Sequence, residues 1–135
     1  MKELVLYYSY SGSTKKIAEE FARKNNFDVC EVTDLKKPNK LAAYTAGIVK
    51  VIRNGAFKIS PLAVKAEDYD VINIFAPVWA DHPAPSMNGA LKTLPAGTKI
   101  KLFMVSHSGR SGKDSVSARV RALGLEIVGY EDIKS

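Results

Sequence analysis

Three short runs in this chain are apolar on nearly every residue: Leu4-Val5-Leu6-Tyr7-Tyr8, Val71-Ile72-Asn73-Ile74-Phe75 and Leu102-Phe103-Met104-Val105. A strand with one wet face alternates apolar and polar residues. A strand that is apolar throughout is covered on both faces, which means a parallel sheet between two layers of helix. Five runs in all, Leu4 to Tyr8, Val29 to Val32, Val71 to Val78, Ile100 to Val105 and Leu125 to Tyr130, are rich in β-branched or aromatic residues and read as strands.

The spacers carry the other periodicity. From Ser13 to Lys24, Ile17, Ala18, Phe21 and Ala22 share one stripe while Lys15, Lys16, Glu19, Glu20 and Arg23 fall elsewhere, which predicts an amphipathic helix. A second helix is predicted from Asn39 to Asn54, where Leu41, Tyr44, Ile48, Val51 and Ile52 recur at three-to-four-residue spacing and Gly55 is placed to end it. Ser86 to Leu94, opened by Pro83 and Pro85 and closed by Pro95, and Lys113 to Leu123 complete the set. The alternating order gives an α/β three-layer sandwich, and 135 residues leave room for a single domain, 1–135, without a second core.

Composition removes several classes. The single cysteine, Cys30, excludes an internal disulfide, a four-cysteine zinc site and a Cys-x-x-Cys pair; on a predicted strand it reads as a core thiol in a reducing, cytoplasmic setting. It is followed six residues on by Lys36, so a phosphatase-type Cys-x5-Arg loop is absent. Asp81, His82 and His107 lack the spacing of a metal site, and none is expected. The apolar opening run is too short for a signal-peptide core or a bilayer span, so no membrane role is expected. Twenty Lys and Arg against fourteen Asp and Glu leave a net charge of +6, which favours acidic partners.

In an open parallel sheet, ligands bind beyond the carboxyl ends of the strands. After the first strand comes Ser9-Tyr10-Ser11-Gly12-Ser13-Thr14, hydroxyl-rich and leading straight into a helix. Unpaired N–H groups and the positive end of the dipole at that helix start suit a phosphate; the bland alternative is Ser11 or Ser13 as a simple N-cap. Gly12 stands alone and Gly112-Lys113 is followed by Asp114, so neither a dinucleotide fingerprint nor a Walker loop is present. A phosphoacceptor receiver would need acidic residues where this chain has Ser9, Tyr10 and Pro77.

After the third strand, Pro77-Val78-Trp79-Ala80-Asp81-His82-Pro83-Ala84-Pro85 places the only tryptophan in a proline-stiffened loop, where an indole offers a flat face to a flat ring. After the fourth comes Ser106-His107-Ser108-Gly109-Arg110-Ser111-Gly112, whose glycines let backbone approach a ligand.

With these loops in place the chain resembles the flavodoxin family, whose phosphate loop follows Ser/Thr-x-Ser/Thr-Gly-x-Thr directly after the first strand; Ser9 to Thr14 matches every defined position. The Pro-Val-Trp-Ala stretch looks like that of a short flavodoxin-like subgroup, and the likeness spans essentially the whole chain. The resemblance implies a flavodoxin-like three-layer sandwich, its five-stranded parallel sheet in the order 2-1-3-4-5, with FMN as a non-covalent cofactor. Its phosphate would lie on Ser9, Tyr10, Ser11, Gly12, Ser13 and Thr14. Its ring would lie against Pro77, Val78, Trp79 and Ala80, and its pyrimidine edge against Ser106, His107, Ser108 and Gly109. Where the family usually presents an aromatic and acidic neighbours, this chain has His107 and Arg110, and Arg110 would bring positive charge near N1 and C2=O of the flavin.

Two further departures bear on function. Leu35 to Ala66 holds seven basic residues and no acid, and His82 to Lys113 five more with none, whereas typical flavodoxins are acidic around the flavin. A redox partner acidic at its docking face is therefore expected, while nucleic acid is disfavoured because the aromatics are taken up by strands. After Tyr130 only Glu131-Asp132-Ile133-Lys134-Ser135 remain, so the sheet is expected to lack the family's last helix. A bare apolar strand face on the order of a few hundred Å² would favour a homodimer. The implied function is electron transfer through FMN, a carrier favoured over an enzyme because no residue must act as acid, base or nucleophile. The alternatives are an NAD(P)H-dependent FMN or quinone reductase on the same fold, or a binding module without FMN.

Overall fold

The fully apolar runs do form the centre of a parallel sheet. The computed structural model describes residues 2–9, 12–32, 62, 64–79, 82–83 and 85–135. Its strands are β1 (Glu3–Tyr7), β2 (Asp28–Glu31), β3 (Val71–Trp79), β4 (Lys99–Ser106) and β5 (Glu126–Lys134), hydrogen-bonded in parallel in the order β2-β1-β3-β4-β5. The described helices are α1 (Ser13–Asn25), α2 (Pro85–Thr93) and α3 (Lys113–Ala122), with a short 3₁₀ turn at Ala66–Asp68 before β3. The helix anticipated from Asn39 to Asn54 lies outside the described residues.

Each sheet face has its own core. Leu4, Leu6, Ile72, Ile74, Ile100, Leu102 and Met104 point to the side covered by Met87, Ala90 and Leu91 of α2 and Val116 and Val120 of α3. Val5, Tyr7, Phe75 and Phe103 point to the other, beneath Ala18 and Ala22 of α1. Those two alanines and Thr14 are spaced four apart, so they form one buried line on α1, small enough to let the helix sit close to the strands. The Phe75 and Phe103 rings stack 4.4 Å apart at 2°, and Phe21 tilts over both at 5.2 and 5.1 Å. Asn73, fully buried in β3, donates from Nδ2 to the Leu4 carbonyl and to Glu3 Oε1 at 3.2 Å each, while its Oδ1 has no partner among the described residues. Cys30 is buried and free, as a core thiol should be.

The end of the chain differs from expectation. β5 does not stop at Tyr130 but runs on through Lys134, pairing Phe103 with Glu131, Val105 with Ile133 and Ser106 with Lys134. Among the described residues, the last two strands present Lys101, Gly129 and an exposed Glu131 on the α1 side, where Phe103 is covered and Ile133 half-buried, and Val128 at the bulge of β5 is exposed. The charged alternation of Glu131-Asp132-Ile133-Lys134 hid this strand, because a strand half exposed to water does not read as an apolar run.

Candidate functional site

The carboxyl ends of β1, β3 and β4 lie side by side in the sheet, so the segments that follow them open on one edge. The turn into α1 is set by Gly12, which has φ +104 and ψ −14, a conformation that any L side chain resists. A Cβ built on Gly12 would meet nothing within 4 Å, so the space above the turn is open. Gly12, not Ser11 or Ser13, is the N-cap, and no side chain caps the helix. The first helical bond runs from the Lys16 N–H to the Gly12 carbonyl at 3.2 Å. Ser9 turns its Oγ back to accept the Gly12 N–H at 2.9 Å, which fixes the turn. Among the described residues no side-chain oxygen caps the N–H groups of the first helical turn, an arrangement that suits an anion. Thr14 is buried and Ser13 exposed; Tyr10 and Ser11 lie outside the described residues.

Pro77 and Val78 are half-buried, and Trp79 ends β3 rather than standing in a free loop. Val78 pairs with Pro83 and Trp79 with His82 in a two-residue antiparallel arm, so a strand pairing fixes the backbone where proline stiffness alone was expected to. Ala80 lies outside the described residues.

The segment after β4 closes on itself. The Ser106 and Ser108 hydroxyls both donate to the Arg110 carbonyl, at 3.2 and 3.3 Å, and the Arg110 N–H returns a bond to Ser108 Oγ at 3.2 Å. Gly109 supplies the positive φ of 75 that this tight turn requires, and Gly112, at φ 70, caps α3. His107, Ser108 and Arg110 are exposed, so the imidazole and guanidinium stand on the rim.

A cluster not anticipated from the sequence lies behind this segment. Ser111, 1% exposed, donates from Oγ to Asp132 Oδ1 and makes a second short contact with the Tyr130 hydroxyl. Since the Ser111 proton goes to the carboxylate, the phenol is the donor to Ser111. Burial raises the Tyr130 pKa and the Asp132 charge adds to it, so the phenol keeps its proton at neutral pH. Tyr130 and Asp132 are two apart on one strand and so share a face, but that signal is legible only once β5 is known to extend past Tyr130.

Among the described residues no group of three or more His, Cys, Asp or Glu side chains could hold a metal ion, and no helix is long and apolar enough to cross a membrane. No family model matches the chain, and no curated protein matches it in sequence. Solved structures do. A flavoprotein from Lactobacillus acidophilus NCFM, crystallised in complex with FMN, superposes with a TM-score of 0.78 at 24% identity, over 96% of this chain and 91% of that one. A protein described as a flavoprotein, from Bacteroides eggerthii, gives 0.81 at 18% identity over 96% and 86%. A flavodoxin from the domain Archaea gives 0.55 at 17% identity over 99% and 85%. With its strand order, helices on both faces and these neighbours, the chain has the flavodoxin-like fold.

Proposed function

We propose that this chain binds FMN without a covalent bond and serves in electron transfer. The observation that carries the reading is the start of α1: an uncapped helix N-terminus entered through Gly12 at φ +104, open above, at the carboxyl end of a central strand. That is a cradle for a phosphate held by backbone N–H groups. The Lactobacillus acidophilus neighbour, crystallised with FMN, supports the choice of ligand.

Ser9, Tyr10, Ser11, Gly12, Ser13 and Thr14 would hold the phosphate. Pro77, Val78, Trp79 and Ala80 would flank the ring, with the antiparallel arm fixing the backbone at Trp79. The segment from Ser106 to Gly109 would meet the polar edge of the ring with main-chain groups, its shape already set by the bonds to Arg110. Bound FMN supplies the redox chemistry; the chain binds it, orients it and sets the charge around it. Arg110, exposed on the rim beside His107, would make that charge positive, and a redox partner acidic at its docking face would suit it. A cytoplasmic setting accords with the single buried thiol.

The test is reconstitution. The purified protein, freed of any flavin and mixed with FMN, should turn yellow, retain the flavin through gel filtration and pass electrons from a chemical reductant to a one-electron acceptor. A protein that stays colourless after the column removes the reading.

A further inference from the structure

The last strand holds the segment after β4 at several separate points. The Ser135 N–H donates to the Ser106 carbonyl at 2.9 Å, and Ser135 Oγ lies 3.4 Å from His107 Nδ1. A Cβ on Gly109 would stand 3.4 Å from the Lys134 Cβ, so the turn packs directly on the strand. Ser111, at the far end of the same segment, is buried and bonded to both Asp132 and Tyr130. The Lys113 ammonium sits 5.5 Å from the centre of the Tyr130 ring, on the side where α3 begins. Solvent-exposed turns of Ser and Gly are ordinarily among the looser parts of a fold. This one is tied at both ends by the strand behind it.

We propose that Tyr130, Asp132 and Ser111 form a latch that fixes the conformation of residues 106–112, and that they act as positioning residues for the ring end of the flavin, without touching it. The proposal rests on the FMN reading above. The chain of bonds runs from the Tyr130 hydroxyl to Ser111 Oγ to the Asp132 carboxylate, so each member depends on the next. Asp132 accepts the Ser111 proton; without it the two hydroxyls share one bond between them and one O–H is left without that acceptor. The segment would then exchange its single conformation for several, and a flavin would have to select one of them on binding.

The experiment uses Tyr130→Phe, Asp132→Ala and Asp132→Asn, each first checked for folding by its thermal melt. Amide hydrogen exchange is followed in the flavin-free protein, and FMN and riboflavin are titrated separately. In Tyr130→Phe and Asp132→Ala, exchange in residues 106–112 should rise while that in α1 stays as in wild type. Both ligands should weaken by one common factor, about tenfold, because the phosphate loop is untouched. Asp132→Asn keeps an oxygen to accept from Ser111 and should recover most of the affinity. If Asp132→Ala does not fold, Tyr130→Phe, which removes one oxygen only, carries the test. Unchanged exchange and unchanged affinity in folded variants would overturn the latch, and so would a loss confined to FMN with riboflavin unaffected. A wild-type protein that takes up no flavin overturns both readings; flavin uptake indifferent to all three substitutions overturns this one alone.

Discussion

Replacing Gly12 by alanine separates torsional strain from ligand binding. At φ +104 an L residue is outside its favoured wells, and a single residue forced there costs about 1–2 kcal/mol. The added Cβ meets nothing within 4 Å, so no collision enlarges the figure. For a chain of this size that loss lowers Tm by roughly 3–8 °C. Gly97 is the internal control: it has φ +86, also with nothing within 4 Å, and lies in the turn before β4 at the opposite end of the sheet. Gly97→Ala should lose stability on the same scale and leave FMN binding as it was. Gly12→Ala should lose that stability and in addition bind FMN about tenfold more weakly, because its methyl enters the open space above the turn where the phosphate would sit. Melts by circular dichroism and titration by quenching of flavin fluorescence measure the two effects. Equal FMN affinities in the two variants would refute the assignment of the phosphate to this turn. A Gly12→Ala protein as stable as wild type would refute the strain argument.

Other substitutions probe the rest of the account. Phe21→Ala uncovers the stacked Phe75 and Phe103 rings and should cost about 2–3 kcal/mol in urea unfolding, less than a fully buried Phe because Phe21 is half-buried; a loss below about 1 kcal/mol would mean that α1 packs through its alanines alone. Trp79→Ala should weaken FMN more than Lys92→Ala does, and equal effects would remove Trp79 from the site. The Tyr7 phenol is pushed up to about 12 by burial and then by the charges of Glu31 and Glu19. The folded chain therefore holds this proton more tightly than the unfolded chain, whose phenol titrates near about 10. That contribution to stability is complete below the unfolded value and is lost as pH rises from there through about 12. Wild type should thus lose stability relative to Tyr7→Phe between about pH 10 and about pH 12, and parallel curves would show that Tyr7 is not coupled to folding.

The centre of this fold was legible because burial on both faces leaves a mark that periodicity detects. Val5, Leu6, Ile72, Ile74 and Leu102 read as core and are core. The alanines of α1 were legible through their four-residue spacing. What escaped was structure held by pairing instead of by burial. Trp79 and His82 belong to an antiparallel arm of two residues, too short for any pattern, and Glu131 to Lys134 form a strand whose exposed residues are charged. The hydroxyls of Ser9 to Thr14 suggest a phosphate turn from sequence, whereas in the structure Gly12 holds the capping position and Ser9 fixes it. The Ser111, Tyr130 and Asp132 cluster joins residues some twenty positions apart, a distance at which only the fold reveals a contact.

Paired titrations of the flavin-free protein with FMN and with riboflavin test most directly whether an FMN phosphate seats at the start of α1. One FMN per chain should bind, and riboflavin, which is the same molecule without its phosphate, should bind at least about tenfold more weakly, as the loss of a charge-assisted hydrogen bond requires. Equal affinity for the two, or uptake of neither, would contradict that placement of the phosphate.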